Sequence, residues 1–333
     1  MLQILDSYDI LPDNILMVTA DVTALYTNIP HEEGLQATTH HYNTFPHLLP
    51  AGAPNVTILS ILLDFILKNS NFRFQEQHYL QNSGTSMGGR YAPQYANLFM
   101  GTIEDMILTE FQPYILLWKR FIDDIFFLFS GSQEDFNRLT NFMNSIHDTI
   151  KFTFESSTFN INFLDISILF KNHKFHSSIY RKPTDRSQLL HYQSNHPHHV
   201  KEGIVYSQGL RYNLIISNDP DLKKELYHLT KIFIARGYPL QTINRNLVKA
   251  LQIPREQLLN NNQPPPPARQ MLPLILYNNK DNNIRKTIYE KWTIIEEDPI
   301  LNTILPKPIT VYRNNTTLGT ILTSTDVKPH PNI

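Results

Sequence analysis

The stretch RFIDDIFFLF, Arg120–Phe129, places two adjacent acids inside a run of aromatic and aliphatic residues. A carboxylate buried in an apolar strand costs several kcal/mol unless another group compensates its charge. A tight turn between two strands removes this cost, because it exposes Asp123 and Asp124 at the edge of a sheet. We therefore predict two strands within residues 114–130, joined at the aspartates. The alternative is an ordinary solvated turn, which accounts for most isolated pairs of aspartates.

A second apolar strand, within residues 14–22, also ends at an acid, Asp21. If this strand lies beside the turn, three carboxylates meet at one place. Neighbouring carboxylates repel each other unless they are protonated or bind a metal ion. Oxygen ligands of this kind favour Mg²⁺, which keeps bound water and binds substrate phosphates. Two such ions about 4 Å apart would hold the attacking and leaving oxygens of phosphoryl transfer.

The order of the remaining elements indicates an α/β (α+β) fold. Alternating or continuous apolar patterns predict strands at 71–81, 150–157 and 161–170. Apolar faces predict helices from residue 31, within 55–69, 91–108 and 132–150, and a broken helix pair over 221–251. An antiparallel sheet with helices packed on one face accommodates this order.

Composition excludes several classes of protein. The 333 residues include no cysteine, which excludes disulfides, zinc ribbons and thiolate nucleophiles. The first residues lack a basic start followed by a long apolar run, and no stretch has the length of a membrane span. We therefore expect an intracellular protein of the nucleus or cytoplasm that is not secreted and does not contact a membrane.

Charge divides the chain into regions. Residues 1–170 contain 7 Lys and Arg against 18 Asp and Glu, whereas residues 171–270 contain 15 against 6. We predict a first domain over 1–170, a basic helical region over 171–259, a Pro-rich linker over 260–270 and a small C-terminal unit over 271–333. An acidic half followed by a basic segment suggests cation-assisted chemistry beside an anion-binding surface. An ordinary solvated basic face is the alternative.

Three motifs occur in a fixed order: ADVTALYTNIP at 20–30, GTSMGGRYAPQYANLFMG at 84–101 and RFIDDIFF at 120–127. They resemble palm motifs A, B and C of reverse transcriptases. The particular residues within these motifs resemble those of the Penelope-like retroelements, which are distant relatives of telomerase. The phrases INFLDISI, SIYRKPTDR, LLHYQSNHP and PITVYRNN further along the chain are also typical of that family.

The resemblance implies an RNA-directed DNA polymerase with an RNA template, a DNA primer and deoxynucleoside triphosphates. It implies two-metal nucleotidyl transfer to a primer 3′-hydroxyl, with Mg²⁺ or Mn²⁺ held by Asp21, the Val22 carbonyl, Asp123 and a supporting Asp124. Tyr26 would exclude the ribose 2′-hydroxyl, which distinguishes RNA precursors from DNA precursors. A half-buried core tyrosine is the alternative for Tyr26.

The resemblance also implies nucleotide and nucleic-acid contacts. Met87, Gly88 and Gly89 would approach the nucleotide, and the basic region would act as a thumb. The residues expected to contact nucleic acid are Arg90, Arg120, Lys171, Lys174, Arg181, Lys182 and Arg186. For Arg90, an ordinary surface charge is as good an interpretation as a contact with template phosphate. The helix pair within 221–251 fits a helix-turn-helix segment loosely, and plain packing is its alternative. For His191, His196, His198 and His199, solvation is preferred over zinc binding.

Two departures from the family are visible in this sequence. Asp21 lies 20 residues from the first residue, so we expect a palm in which the fingers region is missing. The Gly-Ile-Tyr…Tyr-Ile-Gly pattern of the endonuclease found in many relatives is absent. An alternative is therefore a catalytically inactive nucleic-acid-binding remnant or a domesticated structural protein. The oligomeric state is not predicted by the sequence.

Overall fold

The computed structural model describes residues 1–8, 15–260, 272–276, 282–304 and 308–312. The chain forms two compact units. The first contains Met1–Arg186 and Leu214–Glu225, and the second contains Ser187–Asn213 and Leu226–Ile333. Across the described ranges, no helix has the length and apolar character needed to cross a lipid bilayer.

The elements up to residue 186 alternate between helices and antiparallel strands. In chain order they are α1 (Leu2–Asp6), β1 (Leu16–Val22), α2 (Leu25–Asn28), α3 (His31–Thr44), a 3₁₀ turn (Pro46–Leu48), α4 (Val56–Lys68), β2 (Asn71–Phe74), β3 (Gln77–Leu80), α5 (Ala92–Phe111), β4 (Ile115–Phe121), β5 (Asp124–Phe129), α6 (Gln133–Ser145), β6 (Phe152–Ser157), β7 (Asn160–Phe163), β8 (Ile166–Lys171) and β9 (Lys174–Ile179).

The rest of the described chain is mainly helical. Its elements are α7 (His198–Ile215), α8 (Asp219–Ala235), α9 (Leu240–Leu251), α10 (Arg255–Leu259), β10 (Leu272–Leu276), α11 (Asn282–Lys291), α12 (Thr293–Glu296), α13 (Pro299–Ile304) and β11 (Pro308–Tyr312). Strands β10 and β11 pair in parallel. Most of the predicted Pro-rich linker, from residue 261 onward, lies outside the described residues.

The central sheet explains the run of apolar residues around the two aspartates. Its strands are antiparallel in the order β4–β5–β1–β6. Side chains of a strand alternate between the two faces of the sheet. On one face Val18 and Phe127 are buried among helix residues, and on the other Met17 and Phe126 are buried against a second sheet. Because both faces of the sheet are covered, side chains on both sides of β5 are buried, and its sequence is a continuous apolar run after Asp124.

Helices cover one face of the sheet, as the sequence predicts. The apolar side chains of α5 and α6, among them Phe99, Ile103 and Leu139, fill the core on that face. The opposite face is covered by a three-stranded sheet, β7–β8–β9. The apolar pattern predicts one strand over residues 161–170. This was wrong, because Leu164 adopts a left-handed φ of 55° that turns the chain between β7 and β8.

The predicted strand at 71–81 is a hairpin. Gln75 and Glu76 both have positive φ, 46° and 65°, and form a two-residue turn between β2 and β3. Glycine or asparagine usually occupies such positions, so the turn had no sequence signal. The alternation of residue types continues through both strands, so the sequence pattern resembles that of a single strand.

The predicted domain boundary at residue 170 lies within strand β8. The hairpin of β8 and β9 continues to Ile179, and the first unit extends to Arg186. In the second unit, α9 buries Ile243, Leu247 and Ala250 on one side. The preceding turn contains Gly237, whose φ is 80°. The helix pair predicted within 221–251 is therefore present as α8 and α9.

Candidate active site

The three predicted aspartates lie next to one another at one end of the central sheet. Asp21, near the end of β1, is in register opposite Asp124, the first residue of β5. Residues directly opposite each other on antiparallel strands point to the same face, with Cβ atoms about 5 Å apart. Asp123 lies in the turn before β5, and its carbonyl accepts a hydrogen bond of 3.2 Å from the Val22 amide. The fold thus brings together acids separated by about a hundred residues.

The electrostatics of the site couple these carboxylates. Partial burial and the charge of Asp123 raise the pKa of Asp21. Partial burial, Asp123 and then Asp21 raise the pKa of Asp124. The positive charge of Lys182 opposes both shifts. The site is therefore a concentration of negative charge with one lysine in range, an arrangement that favours a bound cation.

The donor set fits a divalent cation of the Mg²⁺ type. All the candidate ligands are carboxylate or carbonyl oxygens, which Mg²⁺ and Mn²⁺ prefer. Asp21, Asp123 and Asp124 are the residues that would hold it, together with the Val22 carbonyl. Over the described part of the chain, no group of three or more His, Cys, Asp and Glu side chains has a ready metal-binding geometry.

Tyr26 lies beside the same acids. It belongs to the short helix α2, is half-buried, and its pKa is raised by burial and by the charge of Asp123. Its carbonyl accepts a hydrogen bond of 2.6 Å from the Thr85 amide. The loop after β3 is therefore fixed to the turn that carries Tyr26.

Gly84 makes this contact possible, and it is not among the residues predicted from the sequence. Its φ is 69°, and a Cβ there would lie 2.5 Å from the Tyr26 carbonyl oxygen and 2.6 Å from Thr27 Cα. The Gly84 carbonyl also accepts a hydrogen bond of 2.7 Å from the His31 ring. The dipeptide Ser83-Gly84 is a common turn signal and was the clue to this position.

The predicted nucleotide-binding residues follow in the same loop. Met87, Gly88 and Arg90 are exposed, and Gly89 is half-exposed. A Cβ at Gly88 would meet ordinary space, with Ser86 Oγ at 3.9 Å. The fold itself therefore does not require a glycine at position 88, which leaves room for a ligand-related reason. The roles of Met87, Gly88, Gly89 and Arg90 stay predictions.

The turn that carries Asp123 is strained. Phe121 and Asp124 pair across it, which leaves Ile122 and Asp123 as its two central residues. Ile122 has a φ of 57°, a left-handed conformation that costs a β-branched residue roughly 1–2 kcal/mol. Strain of this kind persists only where surrounding contacts hold the backbone in place.

Arg120 belongs to a hydrogen-bonded network beside this turn. Its Nη1 donates to the Ile122 carbonyl at 3.1 Å and to Asn97 Oδ1 at 2.7 Å. Its Nη2 donates to Glu104 Oε2 at 2.7 Å, and Trp118 Nε1 donates to Glu104 Oε1 at 2.5 Å. The Arg120 and Glu104 side chains are only 11% and 14% exposed. This environment favours a structural role for Arg120 over the predicted contact with a primer.

The other predicted nucleic-acid contacts differ in environment. Lys171 and Lys174 are exposed at the ends of the β8–β9 hairpin, opposite each other. Lys182 and Arg186 are exposed. Arg181 is about three-quarters buried and forms an ion pair of 2.5 Å with Glu225. As a group these residues stay predictions, and Arg181 has the smallest free surface among them.

With this geometry in place, comparison with known families identifies the chain. Residues 2–176, more than half of the 333, match the family described as reverse transcriptase (RNA-dependent DNA polymerase). The chain belongs to the reverse transcriptase family. Residues 188–248 match a second family, the animal helix-turn-helix domain, over all of α7 and α8 and most of α9. A comparison with curated proteins finds no match.

Solved polymerases share parts of this architecture at low sequence identity. An apo telomerase from Candida tropicalis has a TM-score of 0.45 at 11% identity, covering 78% of this chain and 46% of that one. The RNA-dependent RNA polymerase of a human picorbirnavirus has a TM-score of 0.49 at 13% identity, covering 75% of this chain and 52% of that one. The chain thus spans about half the length of these structures. At this level of similarity they carry no argument about function.

Proposed function

We propose that the chain is the RNA-directed DNA polymerase part of a Penelope-like retroelement reverse transcriptase. It would extend a DNA primer on an RNA template from deoxynucleoside triphosphates. The observation that carries the proposal is the register of Asp21 opposite Asp124, with Asp123 in the adjoining turn. Membership of the reverse transcriptase family and the downstream phrases of the sequence support it.

In this proposal each acid has a distinct role. Asp21, Asp123 and the Val22 carbonyl hold the divalent cations, and Asp124 supports them. Bound there, Mg²⁺ or Mn²⁺ supplies positive charge to the phosphates and lowers the pKa of the primer hydroxyl. The protein positions the primer 3′-oxygen in line with the leaving pyrophosphate, which is where most of the catalytic effect of such sites arises. The raised pKa values of Asp21 and Asp124 indicate that the protein itself compensates the negative charge of these two carboxylates poorly.

The residues around the acids would select and hold the nucleotide. Tyr26 would lie against the sugar and exclude a 2′-hydroxyl, while Met87, Gly88 and Gly89 approach the base or the template. The hydrogen bond from Thr85 to the Tyr26 carbonyl supports a shared site, since it holds the two segments at a fixed separation. Lys182, whose charge acts on Asp21 and Asp124, would contact a phosphate there.

Basic surfaces would bind the primer–template duplex. In the first unit, the exposed Lys171, Lys174 and Arg186 supply such charge, with Arg90 in the loop after β3. In the second unit, residues 187–213 and 226–260 contain 7 Lys and Arg against 2 Asp and Glu. An excess of positive charge of this size favours binding to phosphate backbones that weakens with salt.

Primer extension tests the proposal. The chain is incubated with an RNA template, an annealed DNA primer, deoxynucleotides and Mg²⁺ or Mn²⁺, beside an Asp123→Ala/Asp124→Ala variant of equal stability. The proposal predicts extension by the wild-type chain and none by the variant. No incorporation by a folded wild-type chain contradicts it for this chain.

A second candidate is a nucleic-acid-binding protein without turnover, favoured by the basic balance of residues 187–213 and 226–260 and by the match of residues 188–248 to a helix-turn-helix domain. Salt-dependent binding of an RNA–DNA hybrid without extension would support this candidate. Absence of both binding and extension would instead point to a structural role.

A further inference from the structure

A largely buried ion pair connects helix α5 to the turn that presents the aspartates. Arg120 reaches from β4 to Glu104 and Asn97 of α5, and the same guanidinium donates to the carbonyl of Ile122. Asn97 binds it twice, through Oδ1 at 2.7 Å and through its carbonyl at 3.2 Å. The second oxygen of Glu104 is occupied by the Trp118 indole. The Glu104 carboxylate is therefore fixed on both sides.

The turn needs such support. Ile122 is the first of its two central residues and has a positive φ, a position in which a two-residue hairpin of this kind usually has glycine. A free isoleucine would leave this conformation, because its Cβ crowds the backbone there. One hydrogen bond, from the Val22 amide to Asp123 O, fixes the β1 side of the turn. The bond from Arg120 to Ile122 O fixes the other side.

We propose that Arg120, held by Glu104 and Asn97, is a positioning residue that keeps the Ile122–Asp123 turn in its strained conformation and so fixes the Asp123 carboxylate opposite Asp21. The proposal rests on the proposed polymerase function for its catalytic consequence. Its structural part, the placement of the carboxylate, does not depend on turnover. It replaces the contact between Arg120 and nucleic acid that the sequence suggested, because the side chain is only 11% exposed and both Nη1 and Nη2 donate to protein acceptors. The Nε of the same guanidinium is buried without a partner among the described residues.

The variant Arg120→Met removes the donors and keeps a long apolar stem. We expect the rate constant for single-nucleotide extension to fall about 10- to 100-fold, since small displacements of a catalytic group have effects of this size. The KM for the nucleotide should change less than about threefold, because the residues proposed to contact its sugar and base, Tyr26 and Met87–Gly89, make no hydrogen bond to Arg120. Apparent Mn²⁺ affinity, measured by electron paramagnetic resonance without substrates, should weaken several-fold.

A second substitution separates positioning from general packing. Ile122→Gly removes the cost of a positive φ, so the turn no longer needs the guanidinium. The double variant Arg120→Met/Ile122→Gly should recover at least part of the Mn²⁺ affinity and of the extension rate. Glu104→Gln, which keeps the shape of the pair, should show the same direction of change at a smaller size. Arg138→Met is the matched control for the loss of an arginine outside this network. Arg138 pairs with Asp135 on α6 and stacks on Phe111 and Tyr114, none of which contributes to the Arg120 network.

Each outcome decides the proposal. Wild-type Mn²⁺ affinity and wild-type rate in a folded Arg120→Met variant overturn it. Failure of Ile122→Gly to restore either quantity also overturns it, as does a weakened primer–template affinity with an unchanged rate constant. If Arg120→Met does not fold, the Mn²⁺ affinity and the extension rate of the Glu104→Gln variant are measured instead and interpreted in the same way. If the wild-type chain shows no extension, the proposed function fails, while the Mn²⁺ measurements still test the positioning role.

Discussion

Gly84→Ala places a new Cβ directly against backbone atoms and is expected to have a large local effect. The new Cβ would lie 2.5 Å from the Tyr26 carbonyl oxygen, 2.6 Å from Thr27 Cα and 2.6 Å from the Thr27 carbonyl oxygen. All three are backbone atoms, so no side chain can rotate away. The left-handed φ of 69° adds roughly 1–2 kcal/mol, and forced packing adds about 1–3 kcal/mol. We therefore expect a loss of unfolding free energy of about 2–5 kcal/mol.

Urea denaturation followed by circular dichroism measures this loss. For a slope of about 2 kcal/mol per molar urea, the midpoint should fall by about 1–2.5 M. Gly88→Ala is the matched control, because its Cβ would have Ser86 Oγ at 3.9 Å, and its midpoint should stay within about 0.3 M. A variant at Gly84 as stable as the control would refute the packing of this loop against the Tyr26 turn.

Three further outcomes are expected. Asp124→Asn should stabilise the metal-free chain at neutral pH by roughly 0.5 kcal/mol, because a carboxyl whose pKa is raised in the folded state costs stability once the pH rises above that pKa. The gain should vanish below the ordinary carboxyl pKa, where the group is protonated in both the folded and the unfolded state. Urea titrations in the presence of a chelator at several pH values measure the gain. No gain at neutral pH would contradict the repulsion. Tyr26→Val should reduce the preference for deoxynucleotides by on the order of tenfold in single-nucleotide extension, whereas the exposed Tyr79→Val should not; an unchanged preference would remove Tyr26 from sugar selection. Ser132→Ala breaks the capping box of α6 and should cost about 1 kcal/mol in urea denaturation, against a smaller loss for Ser145→Ala at the other end of the helix; equal losses would argue against the cap.

Apolar periodicity predicted the elements that frame the site. The two strands around the aspartates, the strand ending at Asp21 and the helix that became α5 are all present. Each has an apolar face or run long enough to be recognised without tertiary information. Two acids inside such a run have few explanations besides a turn at a sheet edge, which is why the hairpin was predictable.

Turns without glycine and contacts between distant segments were not predictable. The turn at Gln75 and Glu76 and the one at Leu164 use residues that seldom adopt positive φ, so both hairpins were read as single strands. The partners of Arg120 lie 16 and 23 residues away on a helix, and a charged residue next to an acidic motif was more simply interpreted as a phosphate contact. Burial of that arginine depends on packing, which local sequence does not encode.

Helix α7 lies within the region predicted to be basic and helical, but its bounds were not predicted, for a different reason. Its sequence contains few consecutive apolar residues and begins with two histidines, so its bounds had no clear apolar pattern. Pairing within the folded chain supplies what the local pattern lacks: Val205 and Tyr212 of this helix are buried. Weakly amphipathic helices form mainly through tertiary packing.

The account depends on Asp21 and the Asp123–Asp124 pair acting as one cation site. Binding of Mn²⁺, counted by electron paramagnetic resonance on the full chain, tests this most directly when the wild type is compared with Asp21→Asn and with Asp64→Asn, an acid of α4 paired with Lys68. The account predicts that Asp21→Asn loses most of the bound Mn²⁺ although the pair at 123–124 is intact, and that Asp64→Asn binds as the wild type does. Unchanged binding in Asp21→Asn would contradict it.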